Sequence, residues 1–199
     1  MAIKIQYNKT AIQQYQRQLN IREKALPTLK NKETALRVEV KRIGDLLVQL
    51  KERLEKVFID AESMEKYWVE FPEILTIENT NIRIRNIAGV KIPILEEINF
   101  EVADFSLFHQ PAWILAGIER LKEIISLKIE ITIIQKQFEL LNYARKKTTQ
   151  KVNLYEKVQI PEYQNAIRKT KRFLEDKENL EKSAQKIVKE RNQGKEVML

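Results

Sequence analysis

Side chains able to do covalent or acid–base chemistry are scarce. There is no cysteine, which excludes disulfides, thiolate metal sites and cysteine nucleophiles. The single histidine, His109, excludes histidine metal clusters and leaves little for general-base catalysis. It sits in His109-Gln110-Pro111, where a solvated loop or cap residue is the favoured reading and a pH-sensitive contact the alternative. Neither a G-x-x-x-x-G-K-[ST] phosphate loop nor a G-x-G-x-x-G turn occurs. Acidic clusters such as Glu175-Asp176 and Glu178 read as solvated helix faces. Trp68, Phe71 and Trp113 read as packing at the junction of a helix with the middle of the chain, not as a cofactor site. No catalytic residue, cofactor site or metal ligand is expected, and the work of the chain should lie in surfaces offered to partners.

Those surfaces must be carried by helices. The chain has 199 residues with four glycines, five prolines, 32% charged and 43% hydrophobic residues. So few breakers do not suit a sandwich, a barrel or a doubly wound sheet, whereas long helices need few. From Ile12 to Phe71, 18 positions recur at alternating spacings of three and four: Ile12, Tyr15, Leu19, Arg22 and Leu26 begin the series, which runs on through Leu36, Val40, Ile43, Leu47 and Leu50. Only Arg22 and Glu33 break its apolar character. A sustained average of 3.5 residues marks a coiled-coil seam, and a single long stripe needs an equally long partner. A helix over 10–70 would extend roughly 90 Å at 1.5 Å per residue. Asn8 or Thr10 can cap it, Pro27 should kink it, and Phe71-Pro72 ends it.

A second helical period runs from Ala112 to about Lys195. Ile118, Leu121 and Ile125 begin it, and Leu127, Ile131, Ile134, Phe138 and Leu141 continue it. Tyr163, Ile167, Thr170 and Leu174 form a further seam, and the phase slips near Pro161, where a kink is expected. Isoleucine is denser over 124–134 than a narrow seam requires, which fits either a wider core or a docking face. Between the helices the period drops to two. Ile82 and Ile84 alternate with Arg83 and Arg85, and Val90, Ile92 and Ile94 alternate across Lys91 and Pro93. With Ala88-Gly89 between them, these predict a β-hairpin with strands near 81–87 and 90–95, and a loop over 96–110. Such a hairpin must lean on the coiled coil or on a partner, and it is expected to lie outside both seams.

The predicted fold is therefore mainly all-α: a long antiparallel two-helix coiled coil with a short β-hairpin insert. Its parts are an N-terminal helix over 1–71, a hairpin and loop over 72–111, and a C-terminal helix over 112–199. The formal charge is +8. By segment it is +4 over 1–70, −3 over 71–141 and +7 over 142–199. Both ends are basic, so the antiparallel pair should place its basic termini at one tip. Met1 to Tyr7 lacks the apolar core of a signal peptide, and no apolar run approaches the ~18 residues of a membrane span. No direct membrane insertion is expected.

Three blocks carry a family resemblance. Asn8-Lys9-Thr10 before an amphipathic run is similar to an N-P-T opening, with Lys9 at the proline. Arg85-Asn86-Ile87-Ala88-Gly89-Val90-Lys91-Ile92-Pro93 is similar to R-N-V-x-G-x-K-V-P. Thr148 to Glu156, followed by Ile160-Pro161, resembles T-x-R-R-V-N-A-L-E followed by I-P, with Gln150-Lys151 at the basic pair and Leu154-Tyr155 at Ala-Leu. In this order the blocks resemble the D subunit of the V-type and archaeal-type rotary ATPases. The resemblance implies a non-catalytic central axle that couples ATP hydrolysis or synthesis to rotation of the membrane ring and to ion transport. It implies as partners the catalytic A and regulatory B subunits of a hexamer, the small F subunit, and a ring-linking component, the C (or d) subunit. It implies partner contacts at Asn8, Thr10, Arg85, Asn86, Gly89, Val90, Lys91, Pro93, Lys151, Val152, Asn153 and Pro161. The location it implies is cytoplasmic, peripheral on the membrane through the complex.

An elongated coiled-coil adaptor unrelated to ATPases would also explain the seam, but not the hairpin or the ordered blocks. A nucleic-acid or anionic-membrane binder would explain the charge. However, acidic residues are interspersed among the basic ones and the aromatics form no stacking platform, so no nucleic acid is expected as a partner.

Overall fold

The structure is a computed structural model, and it describes residues 5–62, 71–72, 74–104, 111 and 113–196. The chain is mainly helical. Helix α1 spans Lys9–Glu62, the strands β1 and β2 span Leu75–Ile87 and Val90–Val102, and helix α2 spans Trp113–Asn153. A π-helical turn, Leu154–Gln159, leads into helix α3, Ile160–Glu196. The chain packs as two compact units, one of residues 32–147 and one of residues 1–31 with 148–199.

In the middle unit α1 and α2 run antiparallel, because residue numbers rise on one as they fall on the other. Arg120 lies 3.9 Å from Asp60, Arg53 lies 3.3 Å from Glu123, and Gly44 faces Phe138. Leu36, Ile43, Leu50 and Val57 are buried at heptad spacing on α1, against Leu127, Ile134 and Leu141 at the same spacing on α2. This is the seam expected from sequence. A methyl at Gly44 would lie 3.4 Å from Cε2 of Phe138, so the missing side chain admits the ring. Glu33, one of the two seam breaks, pairs with Arg37 at 2.8 Å on its own helix.

The hairpin belongs to this unit. Its strands are longer than the alternation suggested, pairing from Leu75↔Val102 to Ile87↔Val90, and residues 96–102 are strand rather than loop. Register shifts between Ile77 and Asn79 and between Asn81 and Ile82 break the strict period of two, which hides the outer half from a pattern reading. At the turn Ala88 has φ 50° and Gly89 φ 77°, the pair of positive values that a two-residue type I′ turn needs.

Contrary to expectation, the hairpin does not lie outside the seams. Ile92 is only 1% exposed and sits in the same cluster as Leu36, Ile43, Ile134 and Leu141, with Ile87, Ala88 and Val90 packed against it. A side chain on Gly89 would meet the Lys32 ammonium at 3.3 Å, so the turn lies beside α1. The dense isoleucines of α2 follow from this arrangement. Ile134 serves the seam, while Ile133 lines a groove with Ile82, Ile84 and Pro93 of the hairpin. Packing of Ile134 in the seam and of Ile133 beside the hairpin fits the wider core of the two readings.

In the terminal unit α1 meets α3. Ala11 and Tyr15 pack with Ala166, and Tyr163 and Ile167 close the cluster. Asn8 caps α1, its Oδ1 accepting the Ala11 N–H at 2.6 Å. Helix α1 is α-helical on both sides of Pro27. Pro161 is treated differently. The Ile160 N–H bonds the Tyr155 carbonyl five residues back, and the π turn ends where the proline begins. A wider turn relieves the clash that the ring would have with the carbonyl four residues before it.

Phe71 and Pro72 are not helical, while residues 63–70 before them, Trp68 included, and His109 lie outside those described. Phe71 and Trp113 do face each other, with ring centroids 6.2 Å apart.

Candidate functional site

The residues singled out from sequence fall into three places. Asn8 and Thr10 are exposed on the first turn of α1, and Asn8 is occupied as the cap. Arg85, Asn86, Gly89 and Lys91 are exposed at the tip of the hairpin, with Val90 half-buried against the core. Lys151, Asn153 and Pro161 are exposed on or beside the π turn, but Val152 between them is buried and serves packing.

Pro93 is held from behind. Its carbonyl accepts a 2.6 Å hydrogen bond from Nε2 of Gln137, which is only 7% exposed. Along a strand the nitrogen and the carbonyl of one residue face the same edge. The missing proton of Pro93 therefore points away from β1, where no ladder bond is lost. Gln137 was not legible in the sequence, because a glutamine among Ile134, Phe138 and Leu141 carries no periodic signal. It is a buried polar group satisfied by the hairpin, and it ties that element to α2.

At the π turn the partner is Arg22, the other seam break of α1. Its Nε donates to Oε1 of Gln159 at 2.6 Å, and its Nη1 to the Gln18 carbonyl at 2.9 Å. The guanidinium stands 4.6 Å from the Tyr163 ring centroid and 5.8 Å from that of Tyr155. Nearby, Lys30 pairs with Glu156 at 2.6 Å. The arrangement suits a planar cation with several donors, and a lysine could not both stack and bond in the same way.

Among the described residues no group of three His, Cys, Asp or Glu could hold a metal. Glu178 is held below the usual carboxylate range, first by its hydrogen bond from Lys182 and then by that residue's charge, but it lies fully in solvent. What the chain offers is surface. Beyond Leu174 the described side chains of α3 are exposed, including Leu180 at 72%, Ile187 and Val188. Among the described residues no helix is long and apolar enough to cross a membrane.

The comparisons with known proteins cover nearly the whole chain. It is 31% identical over 193 residues to the V-type ATP synthase D subunit of Borreliella burgdorferi, covering 94% of each chain. It is 27% identical over 199 residues to the V-type ATP synthase D subunit of Chlamydia muridarum, covering 97% of this chain and 98% of that one. The family model for the ATP synthase D subunit matches residues 11–190. An antiparallel helical pair carrying a β-hairpin, matched over nearly the whole chain in this way, belongs to the family of ATP synthase D subunits.

Proposed function

We propose that this chain is the non-catalytic central axle of a V/A-type rotary ATPase. It couples ATP hydrolysis or synthesis in a catalytic hexamer to rotation of a membrane ring and to ion transport. The observation that carries the reading is the pairing of a heptad seam on α1 and α2 with an α3 end whose apolar residues have no cover within the described chain. A seam of interlocked side chains resists bending and twisting, as torque transmission requires. Exposed Leu180, Ile187 and Val188 suit an end that turns inside a sleeve of other subunits.

The partners in this reading are the A and B subunits around the helical end, the F subunit, and the ring-linking C (or d) subunit. Attachment to the membrane is peripheral, through the complex, on its cytoplasmic face. The partner-facing residues are Asn8, Thr10, Arg85, Asn86, Gly89, Lys91, Lys151, Asn153 and Pro161, with Val90 and Pro93 shaping the hairpin. Val152 contributes through packing. The test is reconstitution of the complex with and without this chain. ATP-driven ion movement should require it, and a bead fixed to the hairpin should rotate during turnover. Full ion pumping without the chain would refute the axle reading.

A further inference from the structure

The segment ahead of α1 folds back onto the terminal unit. Residues 5–7 are not helical, and Asn8 turns the chain into α1 as its cap. The backbone of Gln6 reaches both helices. Its N–H donates to the Tyr15 hydroxyl of α1 at 2.9 Å, and its carbonyl accepts from the Thr170 hydroxyl of α3 at 3.5 Å. Ile5 packs on the cluster of Ala11, Tyr15 and Ala166, and the Tyr7 ring lies 4.8 Å from that of Phe173. From Ile5 to Tyr7 the contacts on α3 move from Ala166 through Thr170 to Phe173. The segment therefore runs with α3 and against α1, over the line where the two helices meet.

This strap does more than cap a helix. The residue before a cap commonly packs on the next turn of its own helix, whereas Tyr7 reaches a ring on the other one. The side chains that hold Gln6 are buried, Thr170 fully and Tyr15 to 8% exposure. Polar contacts are stronger there than in water. The strap also lies where the pair ends. Lys9 and Ile12 of α1 line a groove with α3 residues from Lys171 to Glu181, whereas α3 runs on to Glu196. Helix ends open before helix middles, so a force carried along the far part of α3 acts first at this end.

We propose that residues 5–8 are a clasp that fixes the start of α1 against α3 and keeps the pair from opening or twisting where α3 outruns it. The clasp stands on the contacts of Gln6 and Tyr7, and its mechanical purpose rests on the axle reading. A repeating apolar seam leaves neighbouring registers close in energy, and a polar contact selects one of them. Gln6 supplies that contact, because its two backbone groups must meet Tyr15 on one helix and Thr170 on the other at once.

The chain has no cysteine, so paired spin labels can be introduced without background. In the full chain, Q13C/K169C reports on the clasped end and K24C/K157C on the region near Arg22, and all four positions are exposed. Double electron–electron resonance reads the spread of each distance, which should be narrow for both pairs. Removing residues 1–7 should widen the 13–169 spread roughly twofold or more and leave the 24–157 spread unchanged. Tyr15→Phe, which keeps the ring and loses the hydroxyl, should widen the 13–169 spread in the same sense. If the shortened chain does not fold, Tyr15→Phe and Tyr7→Ala decide the matter. An unchanged 13–169 spread in the variants that fold, or equal widening at both label pairs, would overturn the clasp. In the reconstituted complex, Tyr15→Phe should lower the ions moved per ATP hydrolysed at unchanged assembly. Unchanged coupling beside a widened 13–169 spread would overturn the mechanical purpose, whereas full pumping without the chain would refute the axle reading itself.

Discussion

Arg22 of α1 donates a 2.6 Å hydrogen bond to Gln159, the last residue of the π turn. The polar break in one helix thus meets the extra residue in the other. Thr148 and Thr170 are both buried, three heptads and one residue apart, and the π turn between them absorbs that one residue so that both face inward. Pro27 shows that a proline alone does not force such a turn in this chain, since α1 stays α-helical through it. Arg22 should therefore matter to stability despite its charge. Arg22→Ala is expected to cost about 1–3 kcal/mol through the lost charged hydrogen bond and ring contacts. A double-mutant cycle with Gln159→Ala, followed by urea unfolding, should return a coupling of at least ~0.5 kcal/mol. Additive losses would show that the two side chains do not act together.

The seam makes a sharper demand. Leu36 is fully buried between the helices, and Leu36→Ala should destabilise by about 2–5 kcal/mol. Val38, two residues on, is mostly exposed, and Val38→Ala should stay within about 0.5 kcal/mol. Leu50→Asp should cost several kcal/mol, because a carboxylate at that buried position loses its water. Chemical denaturation monitored by helicity distinguishes these three. Equal effects for Leu36 and Val38 would mean that the heptad face does not hold the pair together.

Ala88 occupies a backbone conformation that suits glycine. Its φ of 50° places a Cβ against the following carbonyl, which costs about 1–2 kcal/mol. Ala88→Gly relieves this, but it removes a methyl packed against the core cluster and loosens the unfolded chain. The melting temperature should therefore rise slightly or stay level. A fall of several degrees would show that the methyl outweighs the strain. Gly89→Ala has no such compensation, since φ is 77° and the new methyl would approach Lys32, so it should lower the melting temperature.

The sequence reveals the seams because burial there repeats every seven residues, and a periodic cause leaves a periodic trace. It reveals the turn because few residue pairs accept two positive φ angles. It also shows Arg22 and the phase slip near Pro161, though as separate irregularities. Their meeting depends on which turn of α1 faces which turn of the C-terminal helix, and a seam pattern repeats too regularly to fix that register. Gln137 is silent because its significance lies wholly in the Pro93 carbonyl, 44 residues away. Ile92 reads as one of three alternating strand residues, and nothing local says that it is the one buried in the helical core.

Ile92 changes what loss of the hairpin should do. A hairpin outside the seams could be replaced by a flexible linker at no cost to the rod. With Ile92 buried among Leu36, Ile43 and Leu141, replacing residues 83–94 exposes that cluster and leaves Gln137 without its acceptor. The replaced chain should remain largely helical, because the α1–α2 contacts on either side persist, but it should be less stable. Ile92→Ala alone should cost about 2–5 kcal/mol. Gln137→Leu, which removes a donor from the Pro93 carbonyl, should cost about 1–3 kcal/mol. Stability and coupling can then be separated. Arg85→Ala and Lys91→Ala alter exposed tip residues and should leave unfolding nearly unchanged, while lowering ATP turnover or its coupling to ion movement in the assembled complex. Circular dichroism melts of the chain alone, set beside hydrolysis and pumping in the complex, decide between the roles. If Ile92→Ala and Lys91→Ala reduce coupling only in proportion to lost stability, the hairpin is a structural brace. If Lys91→Ala reduces coupling at unchanged stability, the tip acts on a partner.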